Sequence, residues 1–157
     1  ALSLMAPHAR PQTLDLVGAG TTTDWRRVQA LSGRLGISGV VVHGKVGQTE
    51  LLRLASRCEL AVFPSRYEGF GLGVVEMMAA KVPVVVSDIP AHRERLSSAR
   101  FGCLVRFVDP RAAAERLTQL AGREDDLALG RAEAMRYDWS NVLGLYERAY
   151  MSAVGSQ

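Results

Sequence analysis

The sequence has few of the features that mark secreted, membrane-spanning or nucleic-acid-binding proteins. Only two of its 157 residues are cysteine, too few for a disulfide framework, so we expect reduced thiols and a cytoplasmic protein. Its apolar runs, such as 82–86, fall short of the roughly 20 residues that cross a bilayer, and residues 1–6 carry no basic stretch of a signal peptide. The 19 Lys and Arg are offset by 16 Asp and Glu and form no dense run, which argues against nucleic-acid binding.

What remains is the composition of one folded domain, with 48% hydrophobic and 22% charged residues. Cys58 is predicted at a helix end and Cys103 in a strand, where small buried hydrophobic residues are common. The histidines His8, His43 and His92 stand far apart, at no metal-ligand spacing. We therefore expect a packed domain without a metal centre.

Apolar β-branched runs alternate with amphipathic segments along the chain. The predicted strands are 14–17, 40–42, 60–63, 84–86 and 103–105. The predicted helices are 24–35, 50–58, 73–80, 89–96, 109–120 and two more over 125–153, the last with Asp138 or Ser140 as its cap. Consecutive apolar positions are typical of strands covered on both faces in a parallel sheet. The pattern predicts an α/β fold, a Rossmann-like three-layer α/β/α arrangement with a mainly parallel sheet of about five strands and C-terminal helices.

The segment after the third strand carries the residues best suited to bind a ligand. Gly69, Gly71 and Gly73 lie within five residues, between a strand and a helix, which leaves backbone amides free at the helix N-terminus. Such amides favour a phosphate, and the carboxylates of Glu68 and Glu76 can each accept hydrogen bonds from two neighbouring hydroxyls of a ribose or hexose. The same residues also fit a tight strand-to-helix turn with two solvated glutamates.

The stretch from Pro64 to Val85 resembles the donor-binding half of a family 4 (group 1) retaining glycosyltransferase of the GT-B fold. The resemblance rests on Pro-Ser-x-x-Glu-Gly-Phe-Gly-Leu, on the seven residues between Glu68 and Glu76, and on the Met-Ala-Ala-x-x-Pro-Val-Val that follows. Further matches in the family's order are residues 16–20, 42–46, 51–61, 102–105 and 139–146. The resemblance implies that 1–157 is a single nucleotide-sugar-binding domain, one half of a GT-B fold, lacking its first strand and the N-terminal acceptor domain.

The resemblance also implies roles for particular residues. Glu76 would bind the ribose hydroxyls, and Glu68, the catalytic carboxylate, would contact and position the transferred sugar. The residues that would hold the donor's sugar and diphosphate are Gly69, Phe70, Gly71 and Leu72. Those that would contact the base are Gly44, Lys45 and Val46. Neither a cofactor nor a metal is implied, because amides, helix dipoles and basic side chains stabilise the leaving diphosphate in this fold class, and no Asp-x-Asp pair occurs.

Two departures from the family's pattern bear on this site. Lys81 stands where the family usually has a glycine, and it either disturbs the turn or is a solvated lysine at the helix end. The strand whose arginine and lysine usually clamp the diphosphate has no counterpart before Ala1. We also expect an apolar stripe of Trp139, Leu143 and Tyr146 on the last helix to be exposed when the other domain is absent.

The predicted function is glycosyl transfer with retention from a nucleotide sugar, such as a UDP- or GDP-hexose, to a hydroxyl acceptor. This chain would supply the donor-binding half and be poorly active alone. The alternatives are a non-catalytic nucleotide or nucleotide-sugar binding module and an interaction domain with a dead pocket. The expected partners are the nucleotide sugar and the absent acceptor domain, without nucleic acid. For a cytoplasmic protein, the resemblance also allows a lipid-linked acceptor or peripheral attachment at the inner membrane face through that domain.

Overall fold

The computed structural model describes residues 2–5, 11–96, 101–120 and 127–155, which form two compact units. The first unit comprises Ala1–Leu60 and Val105–Arg123, and the second comprises Ala61–Leu104 and Glu124–Gln157. After a short 3-10 turn at Leu2–Leu4, the elements are β1 (Leu14–Val17), α1 (Thr22–Arg34), β2 (Val40–Gly44), α2 (Gln48–Ala55), β3 (Ala61–Phe63), α3 (Leu72–Ala79), β4 (Val84–Ser87), α4 (Pro90–Arg95), β5 (Gly102–Val105), α5 (Pro110–Leu120), α6 (Leu127–Met135) and α7 (Trp139–Val154). The predicted α/β alternation and the C-terminal helices are confirmed. Residues 125 and 126, where the predicted tail begins, lie outside the described residues.

In the first unit, β1 and β2 form a parallel two-stranded sheet. Leu14 pairs with Val40, and the register shifts at Val17, at the end of β1. Beyond this shift the amide of Gly18 donates a hydrogen bond to the carbonyl of Gly44 at 2.8 Å. This bond holds the loops after the two strands side by side.

Helix α1 begins at Thr22, two residues before the predicted start at 24, because Thr21 caps it. The Thr21 hydroxyl accepts a hydrogen bond from the Asp24 amide at 3.2 Å, and the Asp24 carboxylate accepts one from the Thr21 amide at 2.9 Å. This reciprocal pair is a capping box. Hydrogen bonds from the Thr21 hydroxyl and then from its amide lower the pKa of Asp24, because they stabilise the ionised carboxylate.

In the second unit, β4 lies between β3 and β5, and β3 runs parallel to β4. The core of this sheet is the run Val84, Val85 and Val86, all 0% exposed. A Cβ added to Gly102, the first residue of β5, would lie 2.7 Å from Cγ2 of Val84 and 2.8 Å from its carbonyl oxygen. Glycine is therefore required where β5 approaches β4.

The prediction that all strands are covered on both faces holds only for β4. Val17 on β1, Val41 on β2 and Val62 on β3 expose 42%, 44% and 36% of their surfaces. The five strands also belong to two sheets, of two and three strands, instead of one. Small sheets have proportionally more edge strands, and the helices cover them only in part.

Helix α3 ends in a Schellman motif that has Lys81 at its left-handed position. The amide of Val82 donates to the carbonyl of Met77 at 2.9 Å, and the amide of Lys81 donates to that of Met78 at 3.0 Å. Lys81 has a φ of 61° and an exposed side chain. Of the two alternatives for Lys81, the solvated lysine at the helix end is the one observed. Its backbone nevertheless adopts a conformation that favours glycine.

Helices α6 and α7 complete the second unit. Nη1 of Arg131 on α6 donates to the carbonyl of Ala79, at the end of α3, at 3.4 Å. Asp138 caps α7 by accepting a hydrogen bond from the Ser140 amide at 2.9 Å. Hydrogen bonds from the Ser140 hydroxyl and then from its amide lower the pKa of Asp138. The predicted stripe of Trp139, Leu143 and Tyr146 is exposed, by 74%, 54% and 62%.

Candidate functional site

The connection between β3 and α3 carries a half-buried carboxylate that is held by a neighbouring side chain. Pro64 follows β3 and has no amide to continue the strand ladder, so the chain turns away from the sheet. The hydroxyl of Ser65 then donates a hydrogen bond to Oε1 of Glu68 at 2.8 Å. This bond restricts the direction in which the Glu68 carboxylate points.

The start of α3 presents backbone amides because its cap is a glycine without a side chain. Gly71 caps the helix with a φ of 79°. Within the described part of the chain, the amides of Leu72 and Gly73 donate to no carbonyl, as is usual for the first turn of a helix. A Cβ on Gly73 would lie 3.0 Å from the ring of Phe63, so the ring would have to shift to admit a larger residue here.

Glu76 lies in α3, one turn beyond those amides, and is half-buried. Among the described residues its carboxylate forms no hydrogen bond or ion pair. Such a carboxylate can accept hydrogen bonds from a ligand without first breaking a protein contact. The structure thus places Glu68 and the glycine-rich loop in the connection from β3 to α3 and Glu76 within α3 itself, all in the second unit.

Helix α4 contacts the glycine-rich loop with His92, whose burial was not predicted from the sequence. His92 is 0% exposed, and its Nδ1 donates to the carbonyl of Ser87 at 2.9 Å. Its Nε2 has no partner among the described residues, and it lies 3.8 Å from the position that a Cβ on Gly71 would occupy. The ring therefore packs directly against the glycine that caps α3.

A second α4 side chain that sequence reasoning missed, Arg95, lies between two aromatic rings. Its guanidinium carbon is 4.0 Å from the ring centroid of Phe70 and 4.7 Å from that of Tyr137. The exposed face of α4 is different: Arg93 pairs with Asp88 at 2.5 Å, a hydrogen bond that raises the pKa of Arg93. One short helix thus carries a buried arginine toward the loop and an exposed one toward solvent.

The residues predicted to contact the base lie in the first unit, between β2 and α2. Gly44 ends β2 with a φ of 67°, Lys45 is exposed, and Val46 is half-buried. Just before them, Nε2 of His43 lies 2.6 Å from Oδ1 of Asp15 on β1. His43 is the residue before the last one of β2, and its side chain is half-buried.

Some features of the chain bear on metals and membranes. The described residues contain no group of three or more His, Cys, Asp or Glu side chains placed to hold a metal ion, and His8 lies outside them. None of the described helices is both long enough and apolar enough to span a membrane. Cys58 lies beyond the end of α2 at Ala55 and not at the helix end as predicted, and burial raises the pKa of its thiol.

Comparison with known proteins identifies the family. The family model for group 1 glycosyl transferases matches residues 2–123. Glycogen synthase of Mycobacterium tuberculosis is 36% identical over 151 residues, which cover 90% of this chain and 35% of that protein. The GDP-mannose:cellobiosyl-diphosphopolyprenol alpha-mannosyltransferase of Xanthomonas oryzae pv. oryzae is 35% identical over 113 residues, covering 69% of this chain and 30% of that one.

The fold also has close counterparts among solved structures. HepE of Anabaena, crystallised in complex with UDP and glucose, has a TM-score of 0.78 and 22% identity, over 96% of this chain and 42% of that one. This likeness supports the fold alone. The chain spans about one third of the length of the curated relatives above. Because the family model covers most of the sequence and the resemblance read from its motifs is confirmed, the chain belongs to the group 1 glycosyl transferases.

Proposed function

We propose that this chain binds the nucleotide sugar for a retaining glycosyltransferase that moves a hexosyl group from a nucleoside diphosphate to a hydroxyl acceptor. The observation that carries the proposal is the start of α3, where Glu68 in the preceding turn and Glu76 in the helix flank amides that donate to no carbonyl of the described residues. Amides at a helix N-terminus favour phosphates, and carboxylates accept hydrogen bonds from diols. A nucleotide sugar carries both groups in one molecule.

Each residue of the connection takes a distinct role in this proposal. Glu76 accepts hydrogen bonds from the ribose hydroxyls, for which it is available because none of the described residues binds its carboxylate. Glu68, oriented by Ser65, contacts the transferred sugar and positions it. The segment that holds the sugar and diphosphate consists of Gly69, Phe70, Gly71 and Leu72. The base contacts of Gly44, Lys45 and Val46 stay a prediction of the family resemblance.

The chemistry is electrostatic stabilisation combined with positioning. Negative charge grows on the departing diphosphate as the bond to the sugar breaks. Unpaired amides and the positive end of α3 stabilise this charge without any reorganisation at the moment of reaction. Attack from the same face of the sugar then gives retention. Neither glutamate needs to act as a general acid, which separates the pair from that of a glycoside hydrolase.

The named relatives support a nucleotide sugar as substrate and leave its base open. One is named for GDP-mannose, and a solved neighbour is in complex with UDP and glucose. Because the chain matches only about a third of its relatives' length, we propose that the acceptor, a lipid-linked one included, binds to another part of the whole protein. We propose a cytoplasmic enzyme, since Cys58 and Cys103 form no disulfide in the described part of the chain, with the inner membrane face as the place where a lipid-linked acceptor would be met.

Sugar transfer by the full-length protein tests this proposal. Radiolabelled UDP-glucose, GDP-mannose and ADP-glucose are incubated with the protein and a cell extract as the source of acceptors. We expect label to enter product from one donor, with the anomeric configuration retained by NMR, and Glu76→Ala to abolish incorporation. Glu115→Ala, which removes an exposed carboxylate from α5, serves as the matched control and should transfer normally. Donor binding without transfer to any acceptor would contradict the proposal and favour a binding module.

A further inference from the structure

Arg95 is buried next to the glycine-rich loop and contacts Phe70, the residue before the cap of α3. The residue is 6% exposed, and its guanidinium lies between the rings of Phe70 and Tyr137. Nε donates to the carbonyl oxygen of Phe70 at 3.4 Å, and Nη1 donates to the Tyr137 hydroxyl at 3.1 Å. The two rings also touch each other edge to face, with centroids 5.2 Å apart. Ring and carbonyl of Phe70 are therefore held by the same side chain.

The hydrogen bond from Arg95 to the Phe70 carbonyl also orients the Gly71 amide, which belongs to the same peptide group. In a planar trans peptide the C=O and the following N–H point in opposite directions. The described residues contain no cis peptide, so the amide of Gly71 points away from Arg95. The next two amides, of Leu72 and Gly73, open α3 and donate to no carbonyl in the described chain. Arg95 thus orients the first of three consecutive amides, those of Gly71, Leu72 and Gly73.

A purely structural reason for an arginine here is weak. A buried guanidinium costs free energy unless it is well paired, and an apolar side chain of similar size often stabilises a core as well or better. Among the described residues, Arg95 pairs with the carboxylate of Glu94 at 3.2 Å, and the Glu94 side chain is 72% exposed, so this ion pair contributes little. What an apolar residue could not supply is the planar donor group that binds the Phe70 carbonyl while stacking on its ring.

We propose that Arg95 is a positioning residue for donor binding, which acts through the peptide group between Phe70 and Gly71. The proposal rests on the proposed function, since it assigns to the oriented amides the sugar and diphosphate of a nucleotide sugar. Tyr137 supports the guanidinium from its other side and shares the role to a smaller degree. Arg95 itself touches no donor atom.

The test compares affinities for two classes of ligand in the full-length protein. Isothermal titration gives the Kd of UDP-glucose, GDP-mannose and ADP-glucose. It also gives the Kd of the corresponding nucleoside monophosphates, which keep the ribose but lack the transferred hexose and the second phosphate. We expect Arg95→Met to raise the Kd of the bound nucleotide sugar by about tenfold or more and that of its monophosphate by less than about twofold. Tyr137→Phe, which keeps the ring, should raise the nucleotide-sugar Kd by about threefold.

Matched controls separate positioning from folding. Arg93→Met removes an exposed arginine from the same helix and should leave both Kd values unchanged. Arg95→Lys keeps the charge but loses the planar fork, so it should weaken nucleotide-sugar binding selectively even if the methionine variant fails to fold. Equal loss of both ligand classes in all folded Arg95 variants, or no loss in any, overturns the proposal.

The outcomes also distinguish this proposal from the one on which it rests. Failure of the unmodified protein to bind every nucleotide sugar overturns both. Binding that is lost in Glu76→Ala but retained in Arg95→Met and Arg95→Lys leaves the proposed function intact and overturns only the role of Arg95.

Discussion

The hydroxyl of Ser65 donates a hydrogen bond to the carboxylate of Glu68 at 2.8 Å, within the connection that joins β3 to α3. The bond links a residue at the start of the turn to the carboxylate proposed to meet the transferred sugar. Because it is local, it forms wherever this turn forms. Orientation of Glu68 is therefore a property of the turn and does not require the ligand.

The first prediction concerns this pair. Glu68→Gln should lower kcat by about 100-fold, because the amide cannot replace the negative charge beside the reacting sugar. Ser65→Ala should lower kcat by about threefold to tenfold, because the carboxylate stays but is less well positioned. Steady-state kinetics of the full-length protein measure both effects. An increase in the Kd of the free nucleoside diphosphate as large as the fall in kcat would show that the pair serves nucleotide binding instead.

The second prediction concerns the strained turn after α3. Lys81→Gly should raise the free energy of unfolding by about 0.5–1 kcal/mol, because glycine adopts the φ of 61° without a Cβ clash. Lys81→Ala removes the charge but keeps the Cβ, and should give no such gain. Urea denaturation of the two variants distinguishes backbone strain from charge. A gain of equal size in both would assign the effect to the lysine's charge.

The third prediction uses two glycines with opposite surroundings. Gly102→Ala should lower the free energy of unfolding by about 1–3 kcal/mol, because its Cβ would overlap Val84 at 2.7 Å. Gly33→Ala, in α1 with nothing within 4 Å of the added Cβ, should raise it by about 0.5–1 kcal/mol. Thermal unfolding of both variants checks the signs. Tolerance of alanine at 102 would contradict the close approach of β5 to β4.

The fourth prediction concerns pH and the cap of α1. The pKa of Asp24 is lowered by the Thr21 hydrogen bonds, so its ionised carboxylate contributes stability above its ordinary pKa, and this contribution is lost as the pH falls through the lowered value. The stability of the unmodified protein should therefore exceed that of Asp24→Ala at pH 7, and the difference should shrink below about pH 4. Denaturant unfolding across this range measures it. A difference independent of pH would contradict the role of the charged cap.

The sequence predicted those parts of the fold that depend on local pattern. The valine run of β4 and the helical stretch of α3 occur where expected, and Asp138 caps α7. The start of α1 was missed because three consecutive threonines precede Asp24, and any of them can act as a cap. The division of the strands between two sheets has no local signature, since pairing depends on residues far apart in the chain.

The candidate site was predictable only in part for the same reason. Glu68, Glu76 and the glycines between them lie close together in the sequence, so their order along the turn and α3 could be read from it. Arg95 lies among charged residues at 93–95 that are typical of a solvated helix face, and its contacts with Phe70 and Tyr137 span 25 and 42 residues. Burial of His92 likewise depends on packing against Gly71, which the hydrophobic periodicity of the sequence does not indicate.

Binding of a nucleotide sugar through Glu76 is the central claim, and a thermal-shift titration tests it most directly. The full-length protein, Glu76→Ala and the control Glu115→Ala are titrated with UDP, GDP and ADP and with their glucose, mannose and N-acetylglucosamine derivatives. Ligand at 100 times its Kd should add about 2.7 kcal/mol to the stability. The account predicts a shift for one base series in the unmodified protein and the control, and none in Glu76→Ala. A shift that Glu76→Ala retains in full, or none with any donor, would contradict it.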